Sequence, residues 1–208
     1  MDTRENLALW QAAVVGFFRD LSRVLTVVEQ KMRDASFAPV GDSAVFQDIS
    51  TAFDRSARWL PRYLARAYVK GKKPNRAVGF CIHLGPYTDP ATVAYLQKSR
   101  LALPFVSLAC LRDMQPGPLE VDRRQIWDRL WDSGWWATYE DHVSGPLRVY
   151  HTTREISGFQ ATIAGALLDL FPMDTTTDVA QRIVTPLQML HEGQDEELRQ
   201  LPQLLIRP

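Results

Sequence analysis

A seven-position apolar seam near the N-terminus constrains the fold more than any other feature of the chain. The seam advances in alternating steps of three and four residues and comprises Leu7, Trp10, Val14, Phe17, Leu21, Val24 and Val28. This spacing predicts a long amphipathic helix that ends near Asp34. Because Phe18, Leu25 and Val27 widen the stripe beyond a coiled-coil seam, it favours packing on the chain's own core over a dimer helix.

The middle of the chain has the pattern of a small sheet. Short apolar runs at 77–84 and 103–111 predict two strands, with a helix predicted between them at 90–99. A parallel βαβ unit and an antiparallel pair with a helical excursion fit this spacing equally well. Residues 135–139 and 147–152 predict a hairpin.

Helical patterns flank this region on both sides. A capped helix is predicted after Gly41, and a restarted helix after Pro61 would place Arg62, Arg66 and Lys70 on one face. Further helices are predicted at the following positions: 122–131, 159–171 and 178–190.

These elements predict an α+β or α/β fold with about four central strands, packed by a long N-terminal helix and C-terminal helices. The length of 208 residues favours a single compact domain. Its predicted parts are a helical layer at 1–70, a sheet-containing core at 77–153 and closing helices at 157–193.

Positive charge is concentrated between Arg55 and Arg76, although the formal net charge of the chain is zero. This stretch has eight basic residues and no acidic one, so the remaining residues carry a net negative charge of eight. Basic groups interleaved with aromatic rings favour contact with a nucleic acid or another acidic partner, and intramolecular ion pairs are the alternative. The candidate residues are Arg55, Arg58, Trp59, Arg62, Tyr63, Arg66, Lys70, Lys72, Lys73 and Arg76.

A tryptophan cluster is the second candidate functional feature of the sequence. It comprises Trp127, Trp131, Trp135 and Trp136. Trp127 and Trp131 lie one helical turn apart in the predicted helix and form an aromatic strip. Such a strip is typical of a partner surface or ligand pocket, or of ordinary core packing.

The histidines do not form a recognisable catalytic or metal-binding motif. Their positions are His83, His142, His151 and His191. No pair has the spacing of a metal site, and neither a metal nor a cofactor is predicted. A site assembled in space from His83 or His151 with Asp141 would suit a small hydrolase or nuclease, but isolated histidines are more often structural.

Several negative signals shape the functional expectation. Cys81 and Cys110 have no disulfide or metal-site spacing, no signal-peptide pattern opens the chain, and no apolar run reaches membrane-spanning length. A cytoplasmic location without a membrane partner is therefore expected. The sequence favours a non-enzymatic accessory or adaptor subunit of a larger assembly, and the alternatives are the hydrolase or nuclease and a ligand-binding sensor with a tryptophan-lined pocket.

Overall fold

The fold opens with one long helix. A computed structural model of the chain describes residues 3–41, 46–47, 61–71, 75–85, 90, 93–94, 97, 104–118, 126, 147–150, 160–170 and 175–201. Helix α1 (Thr3–Asp34) is about 48 Å long at 1.5 Å per residue. Its seam is buried at Leu21 and Val28, where it packs on the sheet and on the C-terminal helices.

An antiparallel sheet of five main strands follows, with two short additions at one edge. The strands are β1 (Phe37–Pro39), β2 (Phe46–Gln47), β3 (Tyr63–Lys70), β4 (Ala77–His83), β5 (Phe105–Gln115), β6 (Leu147–Tyr150) and β7 (Gln160–Asp169). Their order is β1-β3-β4-β5-β7-β6, and β2 also pairs with β3. The segment between β4 and β5 therefore joins antiparallel neighbours, which excludes the parallel βαβ unit.

Both faces of the central strands are buried. The helix face carries rows of large apolar side chains, such as Leu64, Ile82, Val106 and Leu168, which pack against α1 and the C-terminal helices. The opposite face carries smaller residues, such as Ala65, Cys81 and Ser107, and these are buried as well. Because Cys81 and Cys110 lie on opposite faces and are free thiols, they are not partners in a disulfide.

The C-terminal helices cover the helix face of the sheet. They are α2 (Thr176–Val179), a π-helical segment (Ala180–Val184), α3 (Thr185–Glu192) and α4 (Asp195–Arg199). A capping box between Thr175 and Asp178 begins this layer. Pro186 has no N–H for an α-helical hydrogen bond, and the wider π-helical turns accommodate it.

Two arginines, Arg112 of β5 and Arg76 just before β4, bind the C-terminal end of α3. Gly193 ends the helix in a left-handed conformation with φ of 83°, and its N–H donates to Met189 O. Arg112 donates to the next carbonyl, that of Leu190, and Arg76 donates to that of His191. Two helix carbonyls that have no intrahelical donor are thus satisfied by arginine side chains.

A charged pair then holds α4 beside the sheet. Arg112 makes two hydrogen bonds with the Asp195 carboxylate, at 2.7 Å from Nη1 and 2.5 Å from Nη2. The Arg112 side chain is 10% exposed, so this forked contact is shielded from water. It is stronger for that reason than an ion pair on the surface.

The predicted fold class is confirmed, and most long elements lie where the sequence places them. The α+β class, the long N-terminal helix, β4, β5 and the last closing helix are all present, but the sheet has five main strands instead of about four. The described residues at 90, 93, 94, 97 and 126 are helical, as predicted. The predicted strand at 135–139 lies outside the described residues. Across the described ranges, no helix has the length and apolarity needed to cross a membrane.

Two predicted helices are wrong, and a third is wrong where the structure describes it. The restarted helix after Pro61 is strand β3, and the helix predicted at 159–171 is strand β7. Both pair along most of their length with the central strands, so tertiary pairing overrides local helical patterning. The helix predicted after Gly41 is also wrong at Phe46–Gln47, which form β2. The sheet thus draws strands from all three predicted parts of the chain.

We expect Asp195→Ala to lower the free energy of unfolding by about 1.5–3 kcal/mol, because it removes a charged partner from the shielded Arg112 guanidinium. Urea unfolding followed by circular dichroism measures this loss. Glu197→Ala removes an exposed carboxylate from the same helix and should change stability by less than about 0.5 kcal/mol. Equal effects of the two variants would show that the forked contact does not anchor α4.

Candidate functional site

The described members of the basic stretch lie on and around strand β3. Arg62 and Tyr63 are half-buried at its start, Arg66 is buried in its middle, and Lys70 ends it. The four-residue spacing places Arg66 and Lys70 on one face of a strand, because four residues are two strand repeats. That face is the helix face of the sheet, so the predicted row of cations on an exposed helix is wrong.

Arg66 forms a charged network with α1. Its Nε donates to Glu29 Oε2 at 3.2 Å, and the Tyr68 hydroxyl donates to the same oxygen at 3.0 Å. Arg33, one turn along α1, donates to Glu29 Oε1 at 2.9 Å. Burial alone would raise the pKa of Glu29, but the hydrogen bonds from Arg66 and Arg33 outweigh it and hold this pKa below its ordinary value.

An open cleft of about 400 Å³ lies over this network, between α1 and the sheet. Its polar walls form contacts within the protein: Gln30 donates to Asp34 at 2.8 Å, and Thr26 donates to Ser22 O at 2.8 Å. Arg66 is only 4% exposed and binds Glu29. These contacts indicate a structural network that joins α1 to β3.

Two further described cations of the basic stretch also form internal contacts. Lys70 Nζ lies 3.4 Å from Glu192 Oε1 and 5.1 Å from the centre of the Phe37 ring. Arg76 donates to the His191 carbonyl at the end of α3. Arg66, Lys70 and Arg76 therefore support the intramolecular alternative.

The other candidate residues of the basic stretch lie outside the described part of the chain. They are Arg55, Arg58, Trp59, Lys72 and Lys73. A polyanion contact through these residues stays a prediction. The tryptophan cluster, Trp127, Trp131, Trp135 and Trp136, also lies outside the described residues, so its role as a partner or ligand surface stays a prediction too.

His83 belongs to a buried polar pair on the opposite face of the sheet. Its Nε2 shares a hydrogen bond of 2.8 Å with Ser107 Oγ, and its ring stacks on Phe105 at a centroid distance of 4.3 Å. Complete burial lowers the pKa of His83 to about 3. A serine beside a histidine has the composition of a nucleophile and its base, but both side chains are almost fully inaccessible to a substrate.

The other residues of the hydrolase hypothesis, His151 and Asp141, lie outside the described residues. That hypothesis stays a prediction. Within the described ranges, no group of three or more His, Cys, Asp or Glu side chains is placed to hold a metal ion.

The N-terminal part of α1 carries the most exposed apolar surface among the described residues. Residues 5–13, which we call the overhang, are exposed on every side of the helix. Leu7 is 64% exposed and Trp10 is 59% exposed, so the prediction that the whole seam is buried is wrong at its first two positions. The seam becomes half-buried at Val14 and Phe17 and fully buried at Leu21.

A groove continues the seam past the overhang. This cleft of about 430 Å³ lies between α1 and the region where β7 leads into α2. The apolar residues of its α1 wall include Phe17, Val24 and Val27, and Leu170 and Val179 are the apolar residues of the opposite wall. Polar groups of the lining come from Asp20, Arg23, Thr175 and Thr176. The half-exposed Phe17 is the seam residue at the start of this groove and follows Leu7, Trp10 and Val14 on the same stripe. We call the seam side of the overhang together with the groove the apolar track.

Sequence reasoning found the seam but missed its exposure. The sequence does indicate this exposure, because no residue from Asn6 to Phe18 is charged, whereas charged residues recur in the same helix from Arg19 onward. An uncharged helical segment with apolar residues all round is typical of a segment covered on all sides. In the described part of the chain, nothing covers the overhang.

Comparisons with known proteins gave no relative from which a role could be transferred: no protein-family model, curated protein or solved structure matched the chain. The geometry of the described residues is thus the basis for a functional conclusion.

We expect Glu29→Gln to lower the free energy of unfolding by about 1.5–3 kcal/mol, because it removes the charged acceptor of Arg66, Arg33 and Tyr68. Chemical denaturation at neutral pH measures the loss. The matched control is Glu197→Gln, which makes the same change at an exposed position. If Glu29→Gln is as stable as this control, the network does not hold α1 on the sheet.

We expect His83 to make the fold sensitive to mild acid. The unfolded chain binds a proton on this histidine near pH 6.5, whereas the folded chain does so only near pH 3. Stability from the neutral side chain is therefore complete above pH 6.5 and is lost as the pH falls toward 3.

His83→Gln should reduce the slope of unfolding free energy against pH in this window by about 1.4 kcal/mol per pH unit, the value for one proton. Denaturant titrations at several pH values give the slope. His191→Gln, at a half-buried histidine, should reduce it less. An unchanged slope in His83→Gln would contradict the buried neutral imidazole.

Proposed function

We propose that the protein is a non-enzymatic accessory or adaptor subunit that joins a larger assembly through the apolar track on α1. The occupant of the track is a segment of another protein with an apolar face. The observation that carries this proposal is the exposure of Leu7 and Trp10 on the same helical stripe that forms the core at Leu21 and Val28.

The continuity of the stripe supports a protein partner. At Leu21 and Val28 the stripe is covered by strands and helices of the chain itself. At Leu7 and Trp10 the same stripe has no such cover among the described residues. A partner helix or strand laid along the track would extend the core by about two helical turns, and tryptophan is the side chain that most often dominates such contacts.

The charge pattern favours a protein over a lipid surface. Helices that lie on membranes usually carry lysine or arginine along the polar side of their apolar face. The segment from Asn6 to Phe18 has neither. Its two polar residues, Asn6 and Gln11, are uncharged, so anionic headgroups would gain no ion pairs along this segment.

We expect Trp10→Glu to weaken binding of the partner by at least about 2 kcal/mol, or about thirtyfold, while the fold stays intact. A photo-crosslinking amino acid placed at position 7 of the full chain identifies the neighbour, and titration calorimetry with that purified neighbour measures the affinity. Lys31→Glu makes an acidic replacement on an exposed turn outside the track and should leave the affinity unchanged. Equal affinities of the wild-type chain and Trp10→Glu would overturn the proposal.

A further inference from the structure

The side of α1 opposite the seam has its own apolar patch near the start of the helix. Successive helical turns bring together Glu5, Leu9, Ala12, Gly16 and Arg19 in a single row, with Ala8 and Val15 beside it. Leu9 is 61% exposed and Val15 is 60% exposed. We call these seven residues the back face; none of them belongs to the seam that carries Trp10.

The back face changes character where α1 reaches the sheet. Beyond Arg19 the same side of the helix carries Ser22, Arg23, Thr26 and Gln30, all of them exposed and polar. These polar residues suit a surface in water, whereas Leu9 and Val15 on the same side do not. The apolar patch is thus confined to about four helical turns and ends in a charge at each limit.

The back face is complementary to itself when two copies run antiparallel. Reversing the helix about Ala12 brings Glu5 level with Arg19 of a second copy, Leu9 level with Val15, and Ala8 level with Gly16. Each contact then occurs twice, as an interface with two-fold symmetry requires. We propose that the protein forms a homodimer through this antiparallel pairing of the back faces.

The small residues of the back face permit a close approach. Ala8, Ala12 and Gly16 lie between the larger Leu9 and Val15 side chains, and small contact residues bring helix axes to the short end of the usual 8–10 Å range. A Cβ atom added at Gly16 would meet no atom of its own chain within 4 Å. A larger side chain there therefore disturbs a second copy and not the monomer.

The direction of pairing follows from the two charges. In a parallel pair Glu5 would face Glu5 and Arg19 would face Arg19, which puts like charges together at both limits. The antiparallel pair replaces these contacts with two pairs of opposite charge. It also places the two folded bodies at opposite ends of the helix pair, because each body contacts α1 only from Val14 onward.

The decisive experiment is a charge exchange in the full-length chain, followed by sedimentation velocity over a series of concentrations. We expect the wild-type chain to dimerise, and Glu5→Arg and Arg19→Glu each to weaken the dimer by about tenfold. The double variant with both changes should recover the wild-type affinity, because each opposite-charge pair is restored with its signs exchanged. Lys31→Glu, a charge reversal outside the back face, should have no effect.

A second pair of variants tests the close approach. Gly16→Phe should abolish the dimer, whereas Gly16→Ala should retain it, and both should fold because the site has open space in the monomer. Thermal unfolding at low protein concentration checks the fold.

A wild-type chain that stays monomeric at all concentrations would overturn the proposal, as would single charge reversals without effect. So would a monomer that co-sediments with lipid vesicles, which would make the back face a membrane contact. None of these outcomes tests the proposed role of the apolar track, because Trp10 is not part of the back face. Failure of the dimer and failure of the accessory-subunit proposal are therefore separate results.

Discussion

Strand β4 is buried along all seven of its residues, and the rest of the structure depends on that burial. A buried strand has no water for its backbone N–H and C=O groups, so it needs a hydrogen-bonding neighbour on each side. β3 and β5 provide these neighbours, and β7 does the same for the far edge of β5. Both faces of this sheet must then be covered, and α1 with the C-terminal helices covers one of them.

Two buried guanidiniums connect that helical layer to the sheet. Arg66 projects from β3 to Glu29 of α1, and Arg112 projects from β5 to Asp195 of α4. Each pair joins an element of the sheet to a helix that is distant in sequence. Apolar packing tolerates small shifts of a helix along its groove, whereas a hydrogen-bonded fork with a carboxylate fixes its position. The basic stretch was predicted to bind a polyanion. At Arg66, its positive charge instead positions α1.

The sequence was sufficient to predict a helix or strand where one pattern extended over many residues or where an apolar run was unbroken. The seam of α1 and the runs that became β4 and β5 are of this kind. β3 was misread because a spacing of four residues fits one face of a helix and one face of a strand equally well. β7 was misread because alanine and leucine are common in helices, and its pairing with β5 outweighed that preference.

The candidate functional site could not be predicted from local sequence patterns. Arg66 and Glu29 lie 37 residues apart, and only the assembled fold shows that they bind each other. The exposure of Leu7 and Trp10 could not be predicted from periodicity either, because the apolar spacing is the same where the seam is buried and where it is exposed. What distinguished the two halves of α1 was the absence of charge from Asn6 to Phe18, a feature of composition and not of spacing.

The packing of α1 against α2 and the π-helical segment joins the two ends of the chain. During synthesis α1 leaves the ribosome before the strands of the sheet, and the C-terminal helices that help to cover Leu21 and Val28 emerge only after β7. α1 therefore gains this part of its cover only after residues 176–192 have been synthesised, and until then part of its apolar stripe stays accessible to chaperones. Contacts between residues so distant in sequence also place this fold among those that form slowly. A nascent chain that stops before residue 176 lacks the helices that complete the cover of α1.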